Sequence, residues 1–157
     1  MNSPVVFRAT AAHAEAVGRM LFDFNTEFET SGPEATQLGN RFTRLLERDD
    51  VIVLVAGSDR DPTGFAFLTL RPTVYYDGPL AQLEELYVRP ARRDQGIGTA
   101  LLRTAIHLVR EHDGGEIQIN VDEVDADTRR FYERHGFTNI EAGTESRMLC
   151  YIQQLHA

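Results

Sequence analysis

The sequence predicts an α/β fold: a mixed central sheet of six to seven strands flanked by about four helices. Two observations carry this. The apolar period is helical up to about residue 47 and becomes a β-branched run at 51–55. A strand, a glycine-containing turn and an amphipathic helix then follow one another over 80–111. A length of 157 residues with 42% apolar residues is enough for one domain, expected to span 1–157, with its own core.

The elements justify themselves in order. Val5 to Arg8 reads as a short first strand. Val17, Met20, Leu21 and Phe24 recur at helical spacing from Ala11 to Phe24, with Thr10 as the N-cap. Ser31-Gly32-Pro33 breaks that helix, and Glu34 to Glu47 resumes with Leu38, Phe42, Leu45 and Leu46 on one face. Val51 to Val55 is a buried strand by its β-branched content, and Phe65 to Leu70 is its hairpin partner across the turn Asp59 to Gly64. Pro72 to Pro79 is a loop carrying Tyr75 and Tyr76. Leu80 to Val88 is the next strand, and Gly98 to about Glu111 a helix ended by Gly114-Gly115. Glu116 to Val121 is a strand, Ala126 to Arg134 a short helix closed by His135-Gly136, and 137–140 and 148–152 are the last two strands. The first half of the sheet is expected to be largely antiparallel.

Acidic residues outnumber basic ones 24 to 16, a net charge of −8, which argues against nucleic acid as a partner and leans toward cationic or neutral small molecules. The single Cys150 excludes an intrachain disulfide framework and a cysteine-rich zinc site; it reads as a small buried hydrophobe in the last strand. No apolar run approaches the roughly 20 residues of a membrane span, and the N-terminus lacks the layout of a signal peptide. A cytoplasmic protein without a membrane partner is the expectation. Of the five histidines only His107 and His112 sit close together, at a spacing that a solvated helix face explains better than zinc, so no metal is expected.

Chemistry concentrates in Leu83-Glu-Glu-Leu-Tyr-Val-Arg-Pro-Ala-Arg-Arg-Asp-Gln-Gly-Ile-Gly-Thr-Ala-Leu-Leu102. Gly96 and Gly98 let the backbone N–H groups of the turn point inward. The first turn of the helix adds its own unpaired N–H groups and the positive end of its dipole, which together suit a phosphate. Arg92 and Arg93 can add cationic contacts. A lone Gly-x-Gly is a weak signal, since many helix starts use glycine for packing alone. Two phosphate motifs fail here. Gly98-Thr99-Ala100 lacks the Gly-Lys-Ser/Thr of a P-loop, and Leu101 stands where a dinucleotide fingerprint needs a small residue.

A third pattern fits. Arg93-x-x-Gly96-x-Gly98 after the strand Leu-Glu-Glu-Leu-Tyr-Val resembles the acetyl-CoA motif Gln/Arg-x-x-Gly-x-Gly/Ala of the GNAT superfamily of N-acetyltransferases. Downstream, Asp125-Ala-Asp-Thr-Arg-Arg-Phe-Tyr132-Glu-Arg-His-Gly136-Phe137 is similar to that family's Asn-x-x-Ala-x-x-x-Tyr-x-x-x-Gly-Phe helix, with Asp125 and Thr128 in place of Asn and Ala. An anionic Asp125 can still cap the helix. The element order agrees with the GNAT fold over nearly the whole chain.

The resemblance implies roles. Leu86, Tyr87 and Val88 would present backbone groups to the pantetheine arm of acetyl-CoA, laid beside the strand like an added one. Arg93, Asp94, Gln95, Gly96, Ile97, Gly98 and Thr99 would hold the pyrophosphate, the amides from Asp94 through Thr99 doing most of it. A substrate amine would attack the thioester directly, with a backbone N–H near Leu86 for the oxyanion. Tyr132 would be the general acid for the departing thiolate, against the alternative of a half-buried core aromatic. Glu84 and Glu85 are adjacent and are expected on opposite faces of the strand. Glu84 sits where polyamine-acetylating members carry an acid, so it is the expected base, directly or through water. Asn120 falls where some members carry a second glutamate and cannot serve as that base.

The acceptor side offers Asp23, Glu27, Glu29, Glu34, Tyr75 and Tyr76, of which Glu27 and Tyr76 are taken as substrate contacts, since carboxylates and aromatic faces suit a cationic amine. The resemblance therefore implies acetyl transfer from acetyl-CoA to a small, cationic primary amine in a ternary complex. A protein N-terminus or lysine is the alternative acceptor, and a non-catalytic acyl-CoA-binding regulatory module the alternative of another class. Homodimers are common in the superfamily, and the resemblance extends that option to this chain.

Overall fold

A computed structural model describes residues 2–156. The chain divides into two compact units, one ending at Ile119 and the other starting at Asn120.

The first unit is built on a five-stranded sheet in sequence order: β1 (Val6–Arg8), β2 (Val51–Gly57), β3 (Pro62–Arg71), β4 (Leu80–Val88) and β5 (Glu116–Gln118). The first four strands pair antiparallel, and β5 joins β4 in parallel. This parallel pairing needs a crossover, which is helix α3 (Ile97–Glu111). Helices α1 (Ala14–Glu27) and α2 (Ala35–Leu45) precede the hairpin, as the helical period predicts. A 3-10 turn at Ala11–His13 leads into α1, with Thr10 and His13 bonded reciprocally across it.

Alternation along β2 and β3 decides which helix covers which face. Val51, Val53, Val55 and Phe65 lie in one buried cluster with Val17, Met20 and Leu21 of α1 and Leu38 and Phe42 of α2. The intervening Ile52, Leu54, Ala66 and Leu68 are wholly buried on the other face, the side of α3 with its buried Leu101, Leu102 and Ala105. Burying each such aliphatic side chain is worth about 1.5–3 kcal/mol, so both faces of the hairpin drive the fold. The two helices of the first face cross closely because both present glycine. A Cβ at Gly18 would stand 2.4 Å from the Gly39 amide nitrogen.

The second unit holds α4 (Ala126–Arg134). Its bounds are those expected, and Asp125 caps it by accepting from the Thr128 amide at 3.3 Å. The two expected C-terminal strands are the main correction. Among the described residues, 137–140 and 148–152 form no ladder, only a single bridge between Ile140 and Arg147, so the sheet has five strands rather than six or seven. Apolar alternation in 148–152 supplies no hydrogen-bonding edge by itself. Met148, Leu149, Tyr151 and Ile152 are exposed there, and so is Cys150, which is therefore not the buried hydrophobe expected.

Candidate functional site: the open half of strand β4

Strand β4 is held differently along its length. Leu80, Ala81 and Gln82 pair with β3 on one side and β5 on the other. Beyond Gln82 the β5 side has no strand partner among the described residues, because the ladder with β5 ends at Gln118. Leu83 to Val88 thus present an open edge able to accept an extended ligand as an extra strand. The predicted pantetheine residues Leu86, Tyr87 and Val88 all lie on it.

The pairing also slips within this half. Leu68 lies opposite Leu83 but Phe67 lies opposite Glu85, so Glu84 is the extra residue of a β-bulge. This overturns the expected opposition of Glu84 and Glu85. Phe65, Phe67 and Thr69 point to the α1–α2 face, and Glu85 and Tyr87 share it as the partners of Phe67 and Phe65. The Glu84 carboxylate lies there too, accepting from the Thr69 hydroxyl at 2.6 Å. Strict alternation places neighbours on opposite faces, and the bulge cancels it. Two carboxylates therefore sit side by side. Burial, and then the neighbouring Glu84 charge, pushes the Glu85 carboxyl up to about 7. Tyr87 is buried and stacks on Phe24 at 5.1 Å between centroids, so its ring belongs to the core; burial also raises its phenol above the ordinary value.

After β4 the chain makes a 3-10 turn at Pro90–Arg92 and enters α3 through two left-handed residues, Asp94 at φ 60° and Gly96 at φ 78°. Gly96 is the N-cap, and a Cβ there would meet nothing within 4 Å, so the space over the helix mouth is open. The Ala100 amide bonds to the Gly96 carbonyl at 3.0 Å, leaving the amides of Ile97 and Gly98 without an intrahelical acceptor. A 15-residue helix adds its dipole at this point. A hollow of about 520 Å³ adjoins it, lined by Ser3, Pro4, Val6, Gly96, Thr99, Ala100, Arg103 and Thr104. Exposed amides, open room and a dipole fit a diphosphate.

The arginines of this segment are committed elsewhere. Arg93 forms a fork with both Glu27 oxygens at 2.7 Å, donates to the Val88 carbonyl at 3.0 Å and lies over the Tyr87 ring. Its hydrogen bond to Glu27 raises the Arg93 guanidinium further. Arg89 reaches Asp23 and the Pro62 carbonyl, and Arg92 reaches Asp61 at 2.8 Å. The structure thus joins Glu27, expected on the acceptor, to Arg93, expected on the pyrophosphate. Together they tie the end of α1 to the turn before α3. Sequence reasoning missed this tie, since nothing local links positions 66 residues apart.

Tyr76 is not brought to Glu27. Its ring packs on Gly115, where an added Cβ would touch it at 3.0 Å, and it lines a hollow of about 480 Å³ with Asp77, Gly78, Pro79, His112 and Asp113. That is the other end of β4. In the second unit, Tyr132 is buried between Phe131 and Phe137, with centroids 5.2 and 5.4 Å away. His107 pairs with Glu111 on α3 at 3.1 Å, and the His112 ring lies 2.8 Å from the Leu108 carbonyl.

A bulged strand with one open edge, running into an uncovered helix mouth, is the feature that sets this α/β fold apart. The comparisons make the class specific. The sequence model of the Acetyltransferase (GNAT) family matches residues 15–137, and the chain belongs to that family. A crystal structure of an inferred acetyltransferase from Arthrobacter sp. FB24 is 48% identical, covers 99% of this chain and 97% of that one, and superposes with a TM-score of 0.89. The aminoglycoside N(6')-acetyltransferase type 1 of Klebsiella aerogenes is 30% identical over 95 residues, 59% of this chain and 62% of that protein. The streptothricin acetyltransferase of Streptomyces lavendulae is also 30% identical, over 58% of this chain and 46% of that protein. The matched stretch thus spans less than two thirds of either curated relative. Among the described residues, no helix is long and apolar enough to cross a membrane.

Proposed function

We propose that the chain is an acetyl-CoA-dependent N-acetyltransferase acting on a primary amine of a small cationic acceptor by direct attack in a ternary complex. The observation that carries this is the open edge of β4 beyond Gln82, leading to the uncovered mouth of α3 at Gly96. Backbone groups of Leu86, Tyr87 and Val88 would bond the pantetheine amides, and the amides from Asp94 through Thr99, with Gln95, Gly96, Ile97 and Gly98 between them, would hold the diphosphate. The bulge at Glu84 loosens the ladder next to Leu86, which favours a main-chain N–H there as the oxyanion donor. Arg93 serves by holding this turn against α1. Tyr132, within the second family motif, is the proton donor to the departing sulfur. The family match runs from 15 to 137, which supports reading 1–157 as one functional domain.

A cationic acceptor is supported by the carboxylates of Glu84 and Glu85 on one face and by the aminoglycoside-acetylating relative. The test is thiol release from acetyl-CoA with a panel of polyamines, aminoglycosides, amino acids and lysine peptides. Turnover is expected with a small polycationic amine, and Tyr132→Phe should lower kcat about 100-fold with little change in the KM for acetyl-CoA. Turnover only with peptides would move the acceptor to proteins. Acetyl-CoA binding without turnover on any amine would leave a binding module.

A further inference from the structure

We propose that Glu85, rather than Glu84, takes the proton from the acceptor ammonium, while Glu84, held by Thr69, is the fixed anion that receives the cation. This rests on the acetyl-transfer reading above and assigns its proton step.

The bulge makes the division of labour physical. Glu84 is the exposed residue of the pair, and its oxygen is pinned by the Thr69 hydroxyl at 2.6 Å. That bond holds the Glu84 carboxylate in one orientation beside Glu85. Glu85 lies deeper, in register with Phe67, and among the described residues no cation or hydrogen-bond donor offsets its burial. Desolvation and the adjacent Glu84 charge both favour its protonated form, so its affinity for a proton approaches that needed at neutral pH. The other ionisable groups on this face are Tyr87 on β4 and Asp23 and Glu27 on α1. The two acids are occupied by Arg89 and Arg93. On β3 the neighbours Phe65, Phe67 and Thr69 do not titrate as acids, and α2 meets this face through Phe42.

The step balances. One N–H bond of the ammonium breaks, its proton goes to a Glu85 oxygen, and the electron pair stays on nitrogen. That pair forms the C–N bond to the thioester carbon. The C–S bond then breaks and the sulfur leaves with its electron pair. The nitrogen, cationic after attack, loses its second proton to become the neutral amide. That loss balances the proton the sulfur takes up, and the Glu85 proton is released to solvent.

The experiment is a pH profile of kcat/KM for wild type, Glu85→Gln and Glu84→Gln, with thermal unfolding of the same proteins without ligands. Wild type should show a rising limb with its midpoint near 7. Glu85→Gln should lose that limb and about 100-fold in kcat/KM at pH 7, with Glu85→Asp restoring part of it. Glu84→Gln should keep the limb, move it to lower pH, and raise the acceptor KM about tenfold. The sign for stability follows from the raised proton affinity. Burying Glu85 costs nothing below its ordinary range near 4.5, and stability is lost as pH rises from there through about 7. The advantage in Tm of Glu85→Gln over wild type should therefore grow between pH 5 and pH 8. Retention of the limb in Glu85→Gln, or a Tm advantage that is flat with pH, overturns the assignment while leaving acetyl transfer standing. A wild type that releases no thiol with any amine overturns both, whatever the unfolding data show.

Discussion

The two halves of strand β4 share one backbone and differ in what surrounds it. Residues 80–82 pair on both sides, and Ala81 is wholly buried. Residues 83–88 pair on one side, carry the bulge, and continue into the arginine-tied turn before α3. The first half spends its backbone hydrogen bonds on the sheet. The second half leaves one edge open, and the candidate roles in the first unit, apart from those of Glu27 on α1 and Tyr76, lie on it or just beyond.

The contrast breaks most sharply under a buried charge. Ala81→Glu should destabilise the protein by about 3–5 kcal/mol, because an unpaired carboxylate would replace a wholly buried methyl group. Leu86→Glu, five residues on and only half-buried, should cost about 1–2 kcal/mol and act mainly on acetyl-CoA affinity. Urea unfolding with and without acetyl-CoA measures both. Equal losses of stability would mean that the open edge is covered by something as tightly as β5 covers the other half.

Much of this division was legible. The apolar period gave α1, α2, β2 and β3 within a few residues, since both faces of the hairpin are buried and leave a strong pattern. The Gly96-x-Gly98 turn was legible because a left-handed N-cap demands glycine. The bulge at Glu84 left no trace in residue types, and with it the shared face of Glu84 and Glu85 was hidden. The packing of Tyr76 on Gly115 was hidden too, because an aromatic loop residue looks the same whatever its ring faces. Arg93 was read as a phosphate ligand because its chemistry suits one, and only the folded chain brings Glu27 to it.

Arg93 sharpens the comparison at intermediate size. If it acts as a clamp, Arg93→Ala loses the fork to Glu27 and the bond to Val88, at about 1 kcal/mol for a pair open to solvent, and acetyl-CoA binding weakens several-fold. Glu27→Ala should weaken binding to a similar extent, and the double variant should be no worse than either alone. A free phosphate-gripping cation predicts the reverse for Glu27→Ala, namely tighter binding as the guanidinium is released. Calorimetric titration of acetyl-CoA into the four proteins separates the two.

The smallest effect is expected at Asp94, the one non-glycine residue with positive φ in the turn before α3. Aspartate tolerates this conformation at modest cost, and glycine would relieve it while loosening the unfolded chain. These terms oppose each other, so Asp94→Gly should change stability by less than about 1 kcal/mol. Its effect on binding should be clearer. The exposed carboxylate borders the helix mouth where the diphosphate is proposed to sit, and its removal should tighten acetyl-CoA about two- to fivefold at low salt. Screening at physiological ionic strength, with a Debye length of about 8 Å, should shrink that gain. Asp94→Asn keeps the preference for positive φ and loses only the charge. It should reproduce the binding gain, whereas a gain confined to the glycine variant would assign the effect to the backbone.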